Sequence, residues 1–218
     1  MAMLPQVCFP RRTKMSNYIE ETLAHLRKPF VIHEDGTSQT QVANHGRVGF
    51  YVERLFGIAP NSDRRPDFGQ YELKTTQPGK KISIGTMPDS EFDHIKRETT
   101  HRFESSDPYK KMKNTVVVVY SKLSSYPTPC YRMDGWGVLG LDTMSDRTKE
   151  ILQEDYEFIC KYICSKCDSR DEVTRLLMRN GSISGDYLTL GYKGQGQRGY
   201  NYPSWGFQSS FMKKLIHA

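Results

Sequence analysis

The chain has 218 residues, with 31 Lys and Arg against 25 Asp and Glu, for a formal net charge of +6. That length supports one core-bearing domain, with or without a small appendage, and the basic balance favours a polyanionic partner such as nucleic acid. No run reaches the roughly eighteen apolar residues of a membrane span, Met1 to Lys14 lacks the apolar stretch of a signal peptide, and five cysteines argue against a secreted disulfide scaffold, so the expectation is a soluble, intracellular protein.

In chain order, Asn17 with Glu20 resembles a capping box, and Ile19, Leu23 and Leu26 recur at helical spacing, which predicts a helix over about 17–27. A polar loop from His33 to Asn44 follows. Val48, Val52, Leu55 and Phe56 then form the stripe of a second helix after Gly46, ended by Gly57. Glu53 sits beside that stripe, an awkward place for a carboxylate in a core-facing helix; a surface glutamate is the competing reading. Strands are expected over about 70–76 and 81–87, the second with alternating Ile82 and Ile84. The β-branched run from Thr115 to Tyr120 predicts a central strand covered on both faces, and Trp136 to Leu141 a shorter one. Helical patterning returns from Ser145 to about Cys164 and from Asp171 to Met178. A strand over Ser184–Leu190, a Gly/Lys/Arg/Tyr loop, a short strand at Phe207 and a small terminal helix close the chain. The order predicts an α/β (α+β) core.

The segment Arg65-Pro66-Asp67-Phe68-Gly69-Gln70-Tyr71-Glu72-Leu73-Lys74-Thr75-Thr76 carries the chemistry. Side chains two apart on a strand share a face, so Glu72 and Lys74 point together with Leu73 directed into the core. Asp67, after Pro66, can swing in beside Glu72. Two hard oxygen ligands next to a cation suit a Mg²⁺ ion that activates water against a phosphodiester; a solvated strand edge is the competing reading. Cys160, Cys164 and Cys167 invite a zinc reading, but they follow a helical pattern with no histidine nearby, which favours buried thiols. Lys110-Lys111-Met112-Lys113 and the stretch from Gly191 to Tyr202 have the composition of DNA contacts, since Lys and Arg neutralise phosphates while Arg, Gln and Asn read base edges. Trp205 is read as a packing residue or a stacking platform.

Several segments together resemble the MutH-like endonucleases, the mismatch-repair nicking enzyme and the related GATC-cutting type II restriction enzymes. His45-Gly46-Arg47-Val48-Gly49-Phe50-Tyr51-Val52-Glu53 is similar to that family's basic-Gly-x-x-Gly-x-x-x-Glu helix, and the Asp67–Thr75 stretch follows at the family's spacing. Phe103-Glu104-Ser105-Ser106 with the lysine cluster, Gln153-Glu154-Asp155-Tyr156-Glu157, and the pair Gly185-Asp186-Tyr187-Leu188-Thr189-Leu190 and Gly206-Phe207 complete the likeness in register. The resemblance implies a PD-(D/E)xK nuclease core, a mixed central sheet flanked by helices. It assigns Asp67, Glu72 and the Leu73 carbonyl to Mg²⁺, Lys74 to the attacking water, and Glu53 to a second metal or to the positioning of that lysine. Lys111 holds a phosphate or the nucleophile by the same comparison. His45, Arg47, Lys110, Lys113, Lys193, Arg198 and Gln208 are the implied DNA contacts. His45 stands where the family often has lysine, and Gln208 where a tyrosine senses adenine methylation.

The expectation is therefore a Mg²⁺-dependent, sequence-specific double-stranded DNA endonuclease of restriction type, monomeric or homodimeric, with no membrane association and no evident protein partner. Its single nuclease domain spans 1–218, with 1–42 an arm or subdomain and 184–214 a DNA-reading hairpin region. The alternatives are a MutH-like repair nickase activated by a partner, a structure-specific nuclease, and a DNA-binding module with a lapsed site.

Overall fold

The structure, a computed structural model, describes residues 14–32, 47–58, 67, 71–125, 128–194 and 201–212. These fall into two compact units, one from segments within 1–78 and 114–139, the other from segments within 79–113 and 140–214.

The first unit starts with α1 (Lys14–Leu23), continued by a 3-10 turn over Ala24–Arg27. Ile19, Leu23 and Leu26 are buried along one side, as their spacing predicts. The two-residue β1 (Phe30–Val31) and α2 (Arg47–Leu55) follow, and Gly57, at φ +70°, turns the chain out of α2 with a backbone that side-chain-bearing residues resist. Next come β2 (Glu72–Thr76), β4 (Asn114–Ser124) and β5 (Cys130–Gly140), forming a sheet of order β1-β5-β4-β2. β4 runs parallel to β2, with Leu73 beside Val116 and Lys74 beside Val117. Its run Thr115–Val119 is buried throughout, as expected of a strand covered on both faces. Val48, Val52, Leu73, Val116, Val118 and Met133 meet α1 in one apolar core.

The second unit holds β3 (Ile82–Thr86), α3 (Asp89–Arg97), α4 (Asp107–Met112), α5 (Asp146–Lys166) and α6 (Arg170–Asn180). Its strands β6 (Ser182–Ser184), β7 (Leu188–Gly194) and β8 (Asn201–Phe207) join β3 in an antiparallel sheet of order β3-β8-β7-β6. Ser145 and Ser169 cap α5 and α6 by accepting from Thr148 N and Glu172 N. Leu188, Leu190, Trp205 and Phe207 line one face of the sheet, and Tyr156 of α5 packs on Trp205 with ring centroids 5.4 Å apart.

The mixed α+β class with a central mixed sheet is as expected, and the described strands fall into two four-stranded sheets. The single strand expected over 184–190 is two, β6 and β7, because the backbone turns between Gly185 and Tyr187. α3 and α4 are further elements that the periodicity does not announce. Trp205 is 2% exposed and resolves as a packing residue. Cys160 and Cys164 lie on α5, as the helical pattern requires, and burial pushes the Cys160 thiol well above its usual range.

Candidate active site

Four of the expected catalytic side chains are brought together within the first unit. On β2, Glu72 is 1% exposed, and its Oε1 accepts from the Lys74 ammonium two residues on. The alternation of a strand puts both on one face while Leu73 enters the core. Asp67 stands alongside, because its Oδ2 accepts from Leu73 N at 2.8 Å. One carboxylate oxygen thereby ties Asp67 to β2 and leaves the other for a different partner. Glu53 enters from α2, which comes close to β2: a β-carbon on Gly49 would lie 3.4 Å from Thr75 Oγ1. The Val48 and Val52 stripe turns α2 towards the core and leaves Glu53 half-buried on the flank.

Electrostatics bind the four into one group. Burial raises the Glu53 pKa first, the Asp67 and Glu72 carboxylates raise it further, and Lys74 opposes them. Three carboxylates against one ammonium leave excess negative charge in a partly desolvated place, which a divalent cation relieves. The donors are hard oxygens, as Mg²⁺ demands, so Asp67, Glu72 and the Leu73 carbonyl fit such an ion chemically. Among the described residues, no three His, Cys, Asp or Glu side chains form a ready cage.

The remaining expected residues are placed as follows. Arg47 opens α2, half-buried; His45 and Arg198 lie outside the described residues. In the second unit, Ser106 caps α4 by accepting from Tyr109 N at 3.2 Å and donates to Phe103 O. Lys110 and Lys113 of that lysine segment are exposed, Lys113 paired with Asp142 at 2.9 Å, and the half-buried Lys111 passes over Gly85 of β3. Lys193 is exposed on β7. Gln208 ties the end of β8 to the start of β7, its N–H donating to Tyr187 O at 2.7 Å.

The segment Gln153-Glu154-Asp155-Tyr156-Glu157, part of the family resemblance, carries structural roles that its residue pattern does not announce. Asp155 accepts from the backbone N–H groups of Asp186, Tyr187 and Leu188, and Gln153 holds Phe103 N and His101 O. A buried Asp and a Gln inside an otherwise amphipathic helix were the available signal.

An acidic pair with a strand-borne lysine is thus carried on a mixed α+β fold, and among known proteins the chain is similar to restriction endonucleases. Residues 26–122 match the model of the MvaI/BcnI restriction endonuclease family, a span that contains Glu53, Asp67, Glu72, Lys74 and Lys111. A solved structure described as the restriction endonuclease MvaI–cognate DNA substrate complex is similar over 95% of this chain and 97% of that chain, with a TM-score of 0.52 at 11% identity. At that identity the likeness shows the fold. No curated protein matches the sequence. No helix among the described residues is long and apolar enough to cross a membrane.

Proposed function

We propose that the chain is a Mg²⁺-dependent, sequence-specific double-stranded DNA endonuclease. The observation that carries the reading is the Asp67–Glu72–Lys74 arrangement, with Asp67 fixed by Leu73 N and Glu53 sharing its field. Asp67, Glu72 and the Leu73 carbonyl would hold the metal, which supplies charge neutralisation at the scissile phosphate and a more acidic bound water. Lys74 orients the attacking water or, after giving up its own proton, deprotonates it, while Glu53 supports a second metal or keeps the lysine in place. Lys111 neutralises a phosphate, and the exposed Lys110 and Lys193 are further backbone contacts. Catalysis then rests on positioning and charge rather than on a protein nucleophile.

Kinship with the MutH-like enzymes is part of the proposal. It is supported by the register of the helix, the catalytic strand, the lysine segment and the reading strands along the chain. The target is a short site, GATC or another. The test is to incubate the purified protein with plasmid and Mg²⁺. Discrete bands are expected, and failure to cut at any enzyme excess would sink the reading. Lys74→Ala should lower cutting by at least about a hundredfold while duplex binding in Ca²⁺ stays within about threefold.

A further inference from the structure

Helix α5 reaches a segment that the proposed function assigns to DNA. Asp155 is 7% exposed, and its carboxylate accepts from three consecutive backbone N–H groups: Asp186 at 2.9 Å, Tyr187 at 2.7 Å and Leu188 at 2.8 Å. These three residues close the turn that splits β6 from β7 and open β7 itself. Without the carboxylate, the buried donors of Tyr187 and Leu188 would have no comparable acceptor. The approach is so close that a β-carbon on Gly185 would lie 1.9 Å from Asp155 Oδ1. Only a residue lacking one fits beside the carboxylate.

From the clamped turn, β7 and β8 run in unbroken register from Leu188–Phe207 to Gly194–Asn201. The clamp therefore fixes where the outer residues of this arm, Tyr192 and Lys193, present themselves. Gln153, two residues earlier and so about 200° around the helix, serves a different segment. Its Oε1 accepts from Phe103 N at 2.8 Å and its Nε2 donates to His101 O at 2.6 Å, beside the turn capped into α4.

We infer that Asp155 is a positioning residue for the DNA-reading arm, setting the register and pitch of β7 so that its loss weakens site discrimination more than phosphodiester chemistry. This rests on the nuclease reading above. A carboxylate suits the task because it accepts several hydrogen bonds at once and donates none. An asparagine of the same shape presents one acceptor and turns a donor towards backbone N–H groups.

The experiment digests methyl-free genomic DNA with the wild type, Asp155→Asn and Gly185→Ala, and sequences the fragment ends. Wild-type ends should collect at one short sequence. In both variants the share of ends at one-base-different sequences should rise by about tenfold or more, the worth of one charge-assisted hydrogen bond. On a duplex carrying the wild-type sequence, Asp155→Asn should raise KM while kcat stays within about twofold. Hydrogen exchange should quicken at Asp186–Leu188 and along β7, with α3 unchanged. Gly185→Ala probes the same contact from the other side should Asp155→Asn fold poorly. Variant end profiles identical to the wild type, or exchange that quickens uniformly, would overturn the inference. Wild-type ends with no recurrent sequence would instead count against sequence-specific cleavage itself.

Discussion

Glu91 shows how much a single buried carboxylate can govern. It lies in the first turn of α3, 3% exposed, with neither carboxyl oxygen in a hydrogen bond of normal geometry, and the Trp205 indole nitrogen facing the same interior is likewise without one. Burial pushes its pKa up to about 8; Asp107 adds to the rise, while the Trp205 indole and Lys110 oppose it. Tyr156 and Cys160 of α5 feel the same carboxyl, and their own ionisation is disfavoured by it. The native state thus holds a proton that the unfolded chain releases near 4.5. Between those two values the native form binds more protons, so Glu91 lowers stability as pH rises, by roughly 1.4 kcal/mol per pH unit, with no further loss above about 8. Glu91→Gln should leave stability nearly unchanged at pH 5 and raise it at pH 8.5. Urea melts followed by Trp205 fluorescence in a Trp136→Phe background measure the difference. A constant offset across that range would contradict a protonated Glu91.

At the level of elements, two glycines of the second sheet make opposite predictions. A β-carbon on Gly206 would lie 2.8 Å from the Ile82 carbonyl oxygen, where β3 and β8 meet, so Gly206→Ala should cost about 1–3 kcal/mol through strand displacement. Gly191 of β7 has nothing nearer than 3.9 Å, so Gly191→Ala should stay within about 0.5 kcal/mol; thermal melts check both. Local signals made some elements readable. The valine run gave β4, and the capped, periodic stretch gave α5. Others depended on partners far along the chain. β5 begins with Cys130, Arg132 and Asp134, and only the apolar end of it alternated clearly. α3 carries just Phe92 and Ile95 on its buried stripe beside Glu91. The split between β6 and β7 is imposed by Asp155, more than thirty residues away. In the active site, Asp67, Glu72 and Lys74 were legible because strand alternation is a local rule. From its own pattern Glu53 showed as a misplaced carboxylate and gained a role only through the family resemblance, and the roles of Gln153 and Asp155 stayed hidden because their partners are backbone groups that no side-chain pattern announces.

For the whole molecule, the charge of +6 suits the polyanionic partner of the proposed function. Binding should weaken linearly in log–log form as salt rises, and Lys110→Ala should reduce that slope by about 0.9 for every duplex, whatever its sequence. Fluorescence anisotropy across a salt series reads this directly. The order β3-β8-β7-β6 carries a consequence for biosynthesis. β3 is made well before β8, its one partner strand among the described residues. Throughout the intervening translation β3 offers a bare edge, open to pairing with a neighbouring nascent chain. Slower synthesis at low temperature should shift the yield from inclusion bodies to soluble protein, and chains stopped before Asn201 should accumulate as aggregates.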